Sequence, residues 1–144
     1  TPLEPGEKYT GGGRAVYARV PIPNSDGKFG RLEAVNLTNQ KSAWVQRQRA
    51  AMSSGVMPTA GGVLFAGTLD RYFRAYDDTN GKILWEARLN NALNAPPISF
   101  AVNGKQYVAI AVGNGSSQLR SLNTLTPDIK NPDGGATLWV FALQ

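Results

Sequence analysis

The stretch that decides the fold occupies residues 71–85 and reads RYFRAYDDTNGKILW. An earlier stretch at residues 30–44, GRLEAVNLTNQKSAW, has the same layout. Alanine, Asn or Asp, lysine and tryptophan recur at a single offset, so that Trp44 and Trp85 lie 41 residues apart. A shared offset across these residue types indicates a repeated structural unit rather than two unrelated core tryptophans.

Each unit predicts two strands joined by a tight turn. Residues before Asn36 and Asp77 alternate as in a strand, and an Asn or Asp side chain can bond the backbone two residues further on. In the second unit, Gly81 supplies the positive φ that a tight turn needs. The tryptophan of each unit can lie between neighbouring units and donate its indole N–H to a backbone carbonyl. Because a period of about 40–45 residues is that of four-stranded blades, we predict a β-propeller with tryptophan-docking motifs.

Further strands are predicted around the repeats. Residues 62–68 form a short apolar run that begins at a glycine and is typical of a buried strand. Asn103-Gly104 separates two apolar runs, at 97–102 and 106–112, and this dipeptide is the strongest short-range signal for a hairpin.

The end of the chain is predicted to hold a long loop and a closing strand. Residues 113–135 contain Pro127, Pro132 and a Gly-Gly pair and are expected to be a loop, whose length favours a functional or covering role. Residues 136–143 form the expected closing strand. Since no segment shows a convincing period of 3.6 residues, we predict that residues 1–144 are all-β.

Composition excludes several kinds of chemistry. The 144 residues contain no Cys and no His, so this chain has no disulfide, thiol nucleophile, Ser-His-Asp triad or His-ligated metal. Lys and Arg number 15 against 10 Asp and Glu, but they are scattered, and we expect no nucleic-acid partner. Any chemistry in this chain must therefore use carboxylates, Lys, backbone groups or a borrowed cofactor.

Two repeats cannot close a propeller, which typically has four to eight blades. Alone they would leave sheet edges open and blade faces uncovered. The chain also starts at Thr1, with no Met and no basic-apolar leader, so we expect a processed product or a piece of a longer chain. The expected partner is therefore the rest of the propeller, as a separate or cleaved chain.

Three segments carry a resemblance to a known family. Residues 60–77, residues 81–85 and residues 103–109 resemble the C-terminal tryptophan-docking blades of quinoprotein alcohol and glucose dehydrogenases. The resemblance extends over roughly residues 30 to 115 and the final strand. It is looser in the first repeat, where Asn39-Gln40 stands in place of the family's usual Thr-Gly.

The resemblance implies the C-terminal portion of an eight-bladed propeller in the periplasm. Pyrroloquinoline quinone (PQQ) would lie on the ring axis with calcium, or a lanthanide, whose ligands are expected outside this chain. The implied reaction is oxidation of an alcohol or sugar by hydride transfer to the quinone, assisted by an Asp base. A cytochrome or quinone would then accept the electrons. The base and the metal ligands belong to earlier blades in the family.

Two segments match loops that face the cofactor in the family. Ser53 and Ser54 lie where relatives place a Trp or small residues beside the quinone, so that no ring stacks from this position here. Asn114, Gly115 and Ser116 match a Gly-rich loop near the cofactor's carboxylates, although the Trp that the family often has late in this loop is Ser in this chain. Backbone N–H groups, an amide or a hydroxyl at these positions can bond an anionic cofactor.

Two other interpretations use the same repeats. A non-catalytic propeller that serves as a scaffold for protein interaction needs the docking tryptophans but no cofactor. A WD-type interaction propeller is less favoured, because the chain has no Gly-His signature and neither Trp44 nor Trp85 is followed by Asp.

Overall fold

A computed structural model describes residues 5–6 and 22–142. Nine strands and one helix fall within these residues. In chain order they are β1 (Gly30–Asn36), β2 (Lys41–Gln48), β3 (Met52–Pro58), β4 (Val63–Thr68), β5 (Tyr72–Asp77), β6 (Ile83–Arg88), β7 (Ile98–Val102), β8 (Lys105–Gly113), α1 (Ser117–Asn123) and β9 (Ala136–Ala142). Thr1 and Leu143, on which two of the sequence predictions fall, lie outside the described residues.

The strands form three antiparallel sheets that follow one another along the chain. The first sheet pairs β1 with β2, the second has the order β3-β4-β5-β6, and the third has the order β7-β8-β9. Antiparallel neighbours joined by short turns are what propeller blades consist of. The prediction of an all-β portion of a propeller is therefore confirmed.

The two repeats have the same internal geometry. Ala34 lies opposite Trp44, Ala75 lies opposite Trp85, and in both units a register shift follows the alanine. The turns also match, because Asn36 Oδ1 accepts from the backbone N–H of the residue two further on, as Asp77 Oδ1 does in its own turn, at 2.9 and 2.8 Å respectively. The offset read from the sequence therefore corresponds to a structural repeat.

Trp44 joins the first sheet to the second. Its indole Nε1 donates to the backbone carbonyl of Asp78 at 2.8 Å, in the turn between β5 and β6. The ring lies against Gly81, where an added Cβ would come within 2.6 Å of a ring carbon. Gly81 also has a φ of 73°, which glycine adopts without strain, and its lack of a side chain leaves room for the ring. Here the docking role predicted for the tryptophan is observed directly.

Apolar side chains fill the spaces between successive sheets. The first and second sheets bury Leu32, Leu64, Ala66 and Tyr76. A larger cluster joins the second and third sheets and contains Phe65, Phe73, Ala75, Leu89, Leu93, Val108, Ile110 and Val112. The hairpin predicted at Asn103-Gly104 links β7 and β8, with φ of 51° and 76° at its two residues.

Residues 113–135 differ from the sequence prediction, because a helix lies inside the expected loop. Ser116 caps α1, with its Oγ accepting from the N–H of Leu119 at 3.1 Å. Leu119 and Leu122 lie on one face of the helix and are buried. Tertiary packing stabilises this helix of seven residues, which would be too short to persist alone. No helix in the described part of the chain is long and apolar enough to span a membrane.

Candidate functional site

One end of the three sheets gathers the connections that follow β2, β4 and β6, together with α1. Small and apolar side chains pack together there: Ala50, Ala51, Leu69, Ala92, Leu119 and Leu122. Both segments that were expected to face the cofactor adjoin this cluster, because β3 begins at Met52 and β8 ends at Gly113. This end of the sheets is therefore the candidate site.

Ser53 and Ser54 differ in what their hydroxyls do. Ser53 is 7% exposed, and its Oγ is buried with no hydrogen-bond partner among the described residues. Ser54 Oγ donates to the carbonyl of Gly55 at 2.7 Å and accepts from the N–H of Gly67 at 2.6 Å. A buried hydroxyl without a partner is costly, whereas a hydroxyl with a donor and an acceptor is satisfied. Of the two, only Ser53 has a hydroxyl without a hydrogen-bond partner among the described residues.

The second segment is largely held by its own surroundings. Asn114 Nδ2 donates to the carbonyl of Pro132 at 3.3 Å, and the Ser116 hydroxyl caps α1. Gly115 is exposed, and the space where its Cβ would stand is open. The backbone at Gly115 is therefore more available to a ligand than either neighbouring side chain.

Both predicted cofactor segments lie next to the connection between β6 and β7. An added Cβ on Gly55 would come within 2.8 Å of Pro96 Cβ, so β3 lies tightly against the connection between β6 and β7. Gly113 N–H donates to the carbonyl of Ala92, in that same connection, at 2.9 Å. Residues 89–97 thus fix the position of both predicted cofactor segments.

Asparagines that the sequence analysis did not single out hold the 113–135 segment in place. Asn91 is only 3% exposed, and its Nδ2 donates to the carbonyls of Gly134, at 3.0 Å, and Pro132, at 3.4 Å. Asn131 Nδ2 donates to the carbonyl of Leu69 at 3.0 Å. In the sequence these asparagines look like ordinary turn residues, because their partners are 41 to 62 residues away.

An exposed ion pair ties the same segment to the end of β2. Arg49 Nη2 lies 2.6 Å from Asp128 Oδ1. The hydrogen bond from Arg49 holds the pKa of the Asp128 carboxyl below its ordinary value. Since both side chains are largely exposed, the pair orients the segment more than it stabilises the fold.

The acidic residues at this end have structural roles. Asp70 accepts a hydrogen bond from the Thr68 hydroxyl within the turn between β4 and β5. In the described residues, no three His, Cys, Asp or Glu side chains come together as a metal site. This part of the chain thus offers polar contacts to a ligand but no cluster of acidic groups.

Two cavities lie outside the residues predicted for the cofactor. A largely apolar cleft of about 800 Å³ separates the second and third sheets, with Trp85, Phe73 and Phe141 among its walls. Trp85 packs edge-on against Phe73 and Phe141 there, with ring centroids 6.1 and 5.2 Å apart. A second cavity, of about 380 Å³, lies beside the start of β1 and the end of β2.

The docked tryptophan and the succession of antiparallel sheets, one of them complete with four strands, define a portion of a tryptophan-docked β-propeller. Residues 4–108 match the family described as PQQ, the glucose/ethanol/alcohol dehydrogenase β-propeller domain. This chain therefore belongs to that family.

Curated relatives are named as alcohol dehydrogenases. A 1-butanol dehydrogenase (cytochrome c) from Thauera butanivorans is 39% identical over 113 residues, which are 78% of this chain and 16% of the relative. A quinoprotein ethanol dehydrogenase from Pseudomonas aeruginosa is 31% identical over 118 residues, 82% of this chain and 19% of the relative. The chain thus spans less than a fifth of the length of these relatives.

Solved structures show the same similarity. A europium-containing methanol dehydrogenase matches with a TM-score of 0.71 and 29% identity, over 82% of this chain and 24% of that protein. A quinohemoprotein alcohol dehydrogenase from Comamonas testosteroni matches with a TM-score of 0.55 and 38% identity, over 58% of this chain and 12% of that protein.

Proposed function

We propose that the protein to which this chain belongs is a periplasmic PQQ-dependent dehydrogenase that oxidises an alcohol or a sugar. In this proposal the chain completes an eight-bladed ring and forms one side of the cofactor pocket. The observation that carries it is the family match over residues 4–108, supported by relatives named quinoprotein alcohol dehydrogenases. The names of the relatives favour an alcohol over a sugar, although one is a quinoprotein glucose dehydrogenase.

The residues at the candidate site fit an anionic quinone in part. Ser53 has a buried hydroxyl with no partner among the described residues, and Gly115 has an open, exposed backbone. Ser54, Asn114 and Ser116 are engaged in hydrogen bonds within the chain, so their role is to shape the wall. When bound, the quinone supplies the hydride acceptor.

This chain's own contribution is to bind and to orient. Ser53 would donate its hydroxyl hydrogen to a cofactor oxygen, and the exposed backbone at Gly115 would offer a second contact. The connection at residues 89–97 contacts both segments, beside Gly55 and at Gly113. In this proposal the base that removes the proton of the substrate hydroxyl, and the ligands of the calcium or lanthanide, would lie in blades outside this chain.

The partners of the protein follow from the same proposal. Relatives are named both as a 1-butanol dehydrogenase (cytochrome c) and as a 1-butanol dehydrogenase (quinone), so both kinds of electron acceptor are candidates. The rest of the ring is the partner that this chain needs first. The fully exposed strand β7 and the half-exposed Trp85 support this, since both lie at sheet surfaces that another blade would cover.

The first experiment combines intact mass with absorbance on the native protein that contains this chain. A larger or second polypeptide together with a quinone absorbance band supports the proposal. Removal of the quinone should abolish alcohol oxidation, and readdition with calcium should restore it. A quinone-depleted protein that binds no added quinone would instead support a non-catalytic scaffold.

Substitutions at two adjacent serines test the cofactor wall. We expect Ser53→Ala to weaken PQQ binding by the apoprotein several-fold, because a donor to the anion is lost. Ser54→Ala should leave that affinity nearly unchanged and lower stability by about 1 kcal/mol, because Gly67 N–H loses its acceptor. Absorbance titration and urea unfolding measure the two effects. Equal affinities in both variants would contradict the assignment of Ser53.

A further inference from the structure

The cavity beside β1 and β2 has a cationic side and an apolar side. Lys28, Arg31 and Arg47 line the first. Most of the remaining wall is apolar and includes Phe29, Ala51, Met52, Leu122 and Leu125. Its volume of about 380 Å³ is in the range of pockets that hold small organic molecules.

Two arginines that line this cavity are neighbours on adjacent strands. Arg31 and Arg47 are cross-strand partners in the β1–β2 pair. Like charges at such positions destabilise a sheet. Arg31 is compensated by an ion pair with Glu33, whereas Arg47 has no ion-pair partner among the described residues. The pair therefore keeps an uncompensated positive charge at the cavity wall.

The guanidinium of Arg47 also lacks a hydrogen-bond acceptor. Its Nη1 is buried and has no partner among the described residues. A buried donor on a charged group costs free energy when it is unmatched, and more than a neutral one does. An anion in the cavity would compensate the charge of Arg47 and remove its repulsion with Arg31.

From this geometry we propose that the cavity is a binding site for an organic carboxylate with a short apolar body. A guanidinium matches a carboxylate through two parallel N–H donors, which Arg47 can offer. Lys28 adds positive charge, and the wall formed by Phe29, Met52 and Leu122 takes the hydrocarbon. The site is separate from the proposed cofactor wall, because Ser53, Ser54 and residues 114–116 do not line it.

Calorimetric titration of the intact protein with octanoate tests the proposal. We expect saturable binding, and at least tenfold weaker binding of octanamide, which has the same shape without the charge. Sulfate, an anion without an apolar body, should also bind at least tenfold more weakly. Absence of octanoate binding to the wild-type protein overturns the proposal. This is the result expected if a carboxylate from another part of the protein already pairs with Arg47. Equal binding of octanamide or of sulfate overturns it as well.

Arg47→Met removes the charge and keeps the length of the side chain. We expect it to weaken octanoate binding about tenfold or more, from the loss of a charged hydrogen-bond donor. Arg49→Met is the matched control, because Arg49 lies near the same end of β2 but pairs with Asp128 outside the cavity. Arg31→Met is a second variant on the cavity wall and should weaken binding in the same direction. Unchanged affinity in both wall variants would overturn the proposal.

A competition experiment with PQQ tests the carboxylate site independently of the proposed dehydrogenase function. Octanoate binding should be the same with and without bound quinone, and the titration is run on the apoprotein as well as the loaded protein. Displacement of octanoate by PQQ would show that the cavity is part of the cofactor site, and would contradict the proposal of a separate carboxylate site. A protein that binds octanoate but no quinone would sustain this inference while refuting the dehydrogenase proposal.

Discussion

At the scale of single residues, the contact between Trp44 and Gly81 carries the junction of the first two sheets. Gly81 adopts a φ of 73° and leaves room for the indole ring. The corresponding position of the first repeat is Gln40, which also has a positive φ, of 57°. The left-handed conformation is thus a property of the turn, while the absence of a side chain is needed only where a tryptophan docks.

The two requirements on Gly81 can be measured separately. We expect Gly81→Ala to lower the free energy of unfolding by about 2–4 kcal/mol, from left-handed strain of about 1–2 kcal/mol plus a clash with the ring. Gly104→Ala is the control, because its φ is 76° and the space around it is open, so it should lose only the strain. Urea unfolding of the intact protein compares them. Equal losses would show that the ring contact contributes nothing.

The turn at Asp77 predicts a dependence on pH. Hydrogen bonds from the hydroxyl and the N–H of Thr79 hold the pKa of the Asp77 carboxyl below its ordinary value. Because the folded-state pKa is the lower one, Asp77 stabilises the fold fully above pH of about 4, and this contribution is lost as pH falls through the folded-state pKa.

Asp77→Asn is the variant that tests this dependence. The first repeat already has Asn36 at the equivalent position, with the same turn hydrogen bond, so the fold should tolerate the change. We expect the variant to lose less stability than the wild type as the pH falls below about 4. Thermal unfolding from pH 7 to pH 2 checks this. If the stability of the wild type and of the variant falls in parallel with pH, protonation of the Asp77 carboxyl does not affect the stability of the fold.

At the scale of elements, the 113–135 segment is held by side chains from elsewhere in the chain. Asn91 and Arg49 reach it from two different connections, and Asn131 within the segment donates to the carbonyl of Leu69 in a third. Helix α1 contributes the apolar part of the attachment through Leu119 and Leu122. The segment therefore covers the end of the sheets as a packed cap.

Asn91 is the buried member of these attachments and gives the sharpest test of them. We expect Asn91→Leu to lower stability by about 1–2 kcal/mol, because both donors to the Pro132 and Gly134 carbonyls are lost. Amide hydrogen exchange should become faster in residues 113–135. Asn94→Ala is the control at an exposed asparagine of the same connection and should change neither quantity. Unaltered exchange in the Leu variant would mean that α1 alone holds the cap.

At the scale of the whole molecule, the three sheets leave apolar surface uncovered. All five residues of β7 are exposed, and the strand lies at the edge of its sheet without a charged residue. Natural edge strands are usually protected by charge, proline or a covering element. The β7 edge therefore fits a position that further propeller would cover.

The chain expressed alone should consequently self-associate and fail to oxidise alcohols. We expect oligomers in sedimentation velocity, reduced by Phe100→Lys, which places a charge on the exposed edge strand. Leu37→Lys is the control, since Leu37 is 89% exposed in a turn outside the sheets. A soluble monomer of the wild-type chain would contradict the need for a partner.

The sequence by itself determined the repeat, the docking tryptophan, the hairpin at Asn103-Gly104 and the family. The turns and the hairpin depend on residues close together along the chain, whose turn chemistry and alternation are local, and the tryptophan was found because it recurs at the same place in both repeats. Only the tertiary structure decided what the candidate site residues do. Ser54 and Ser116 have the same side chain as Ser53, but contacts with Gly67 and α1 engage their hydroxyls and leave Ser53 free.

The helix in the 113–135 segment was missed for a related reason. Ser116 and the spacing of Leu119 and Leu122 are its only local signals, and a helix of seven residues forms because the sheet ends bury those leucines. The cavity beside Arg47 likewise exists because β1, β2 and α1 meet in space. Distant contacts of this kind leave no periodic trace in a single sequence, so their consequences appear only once the chain is folded.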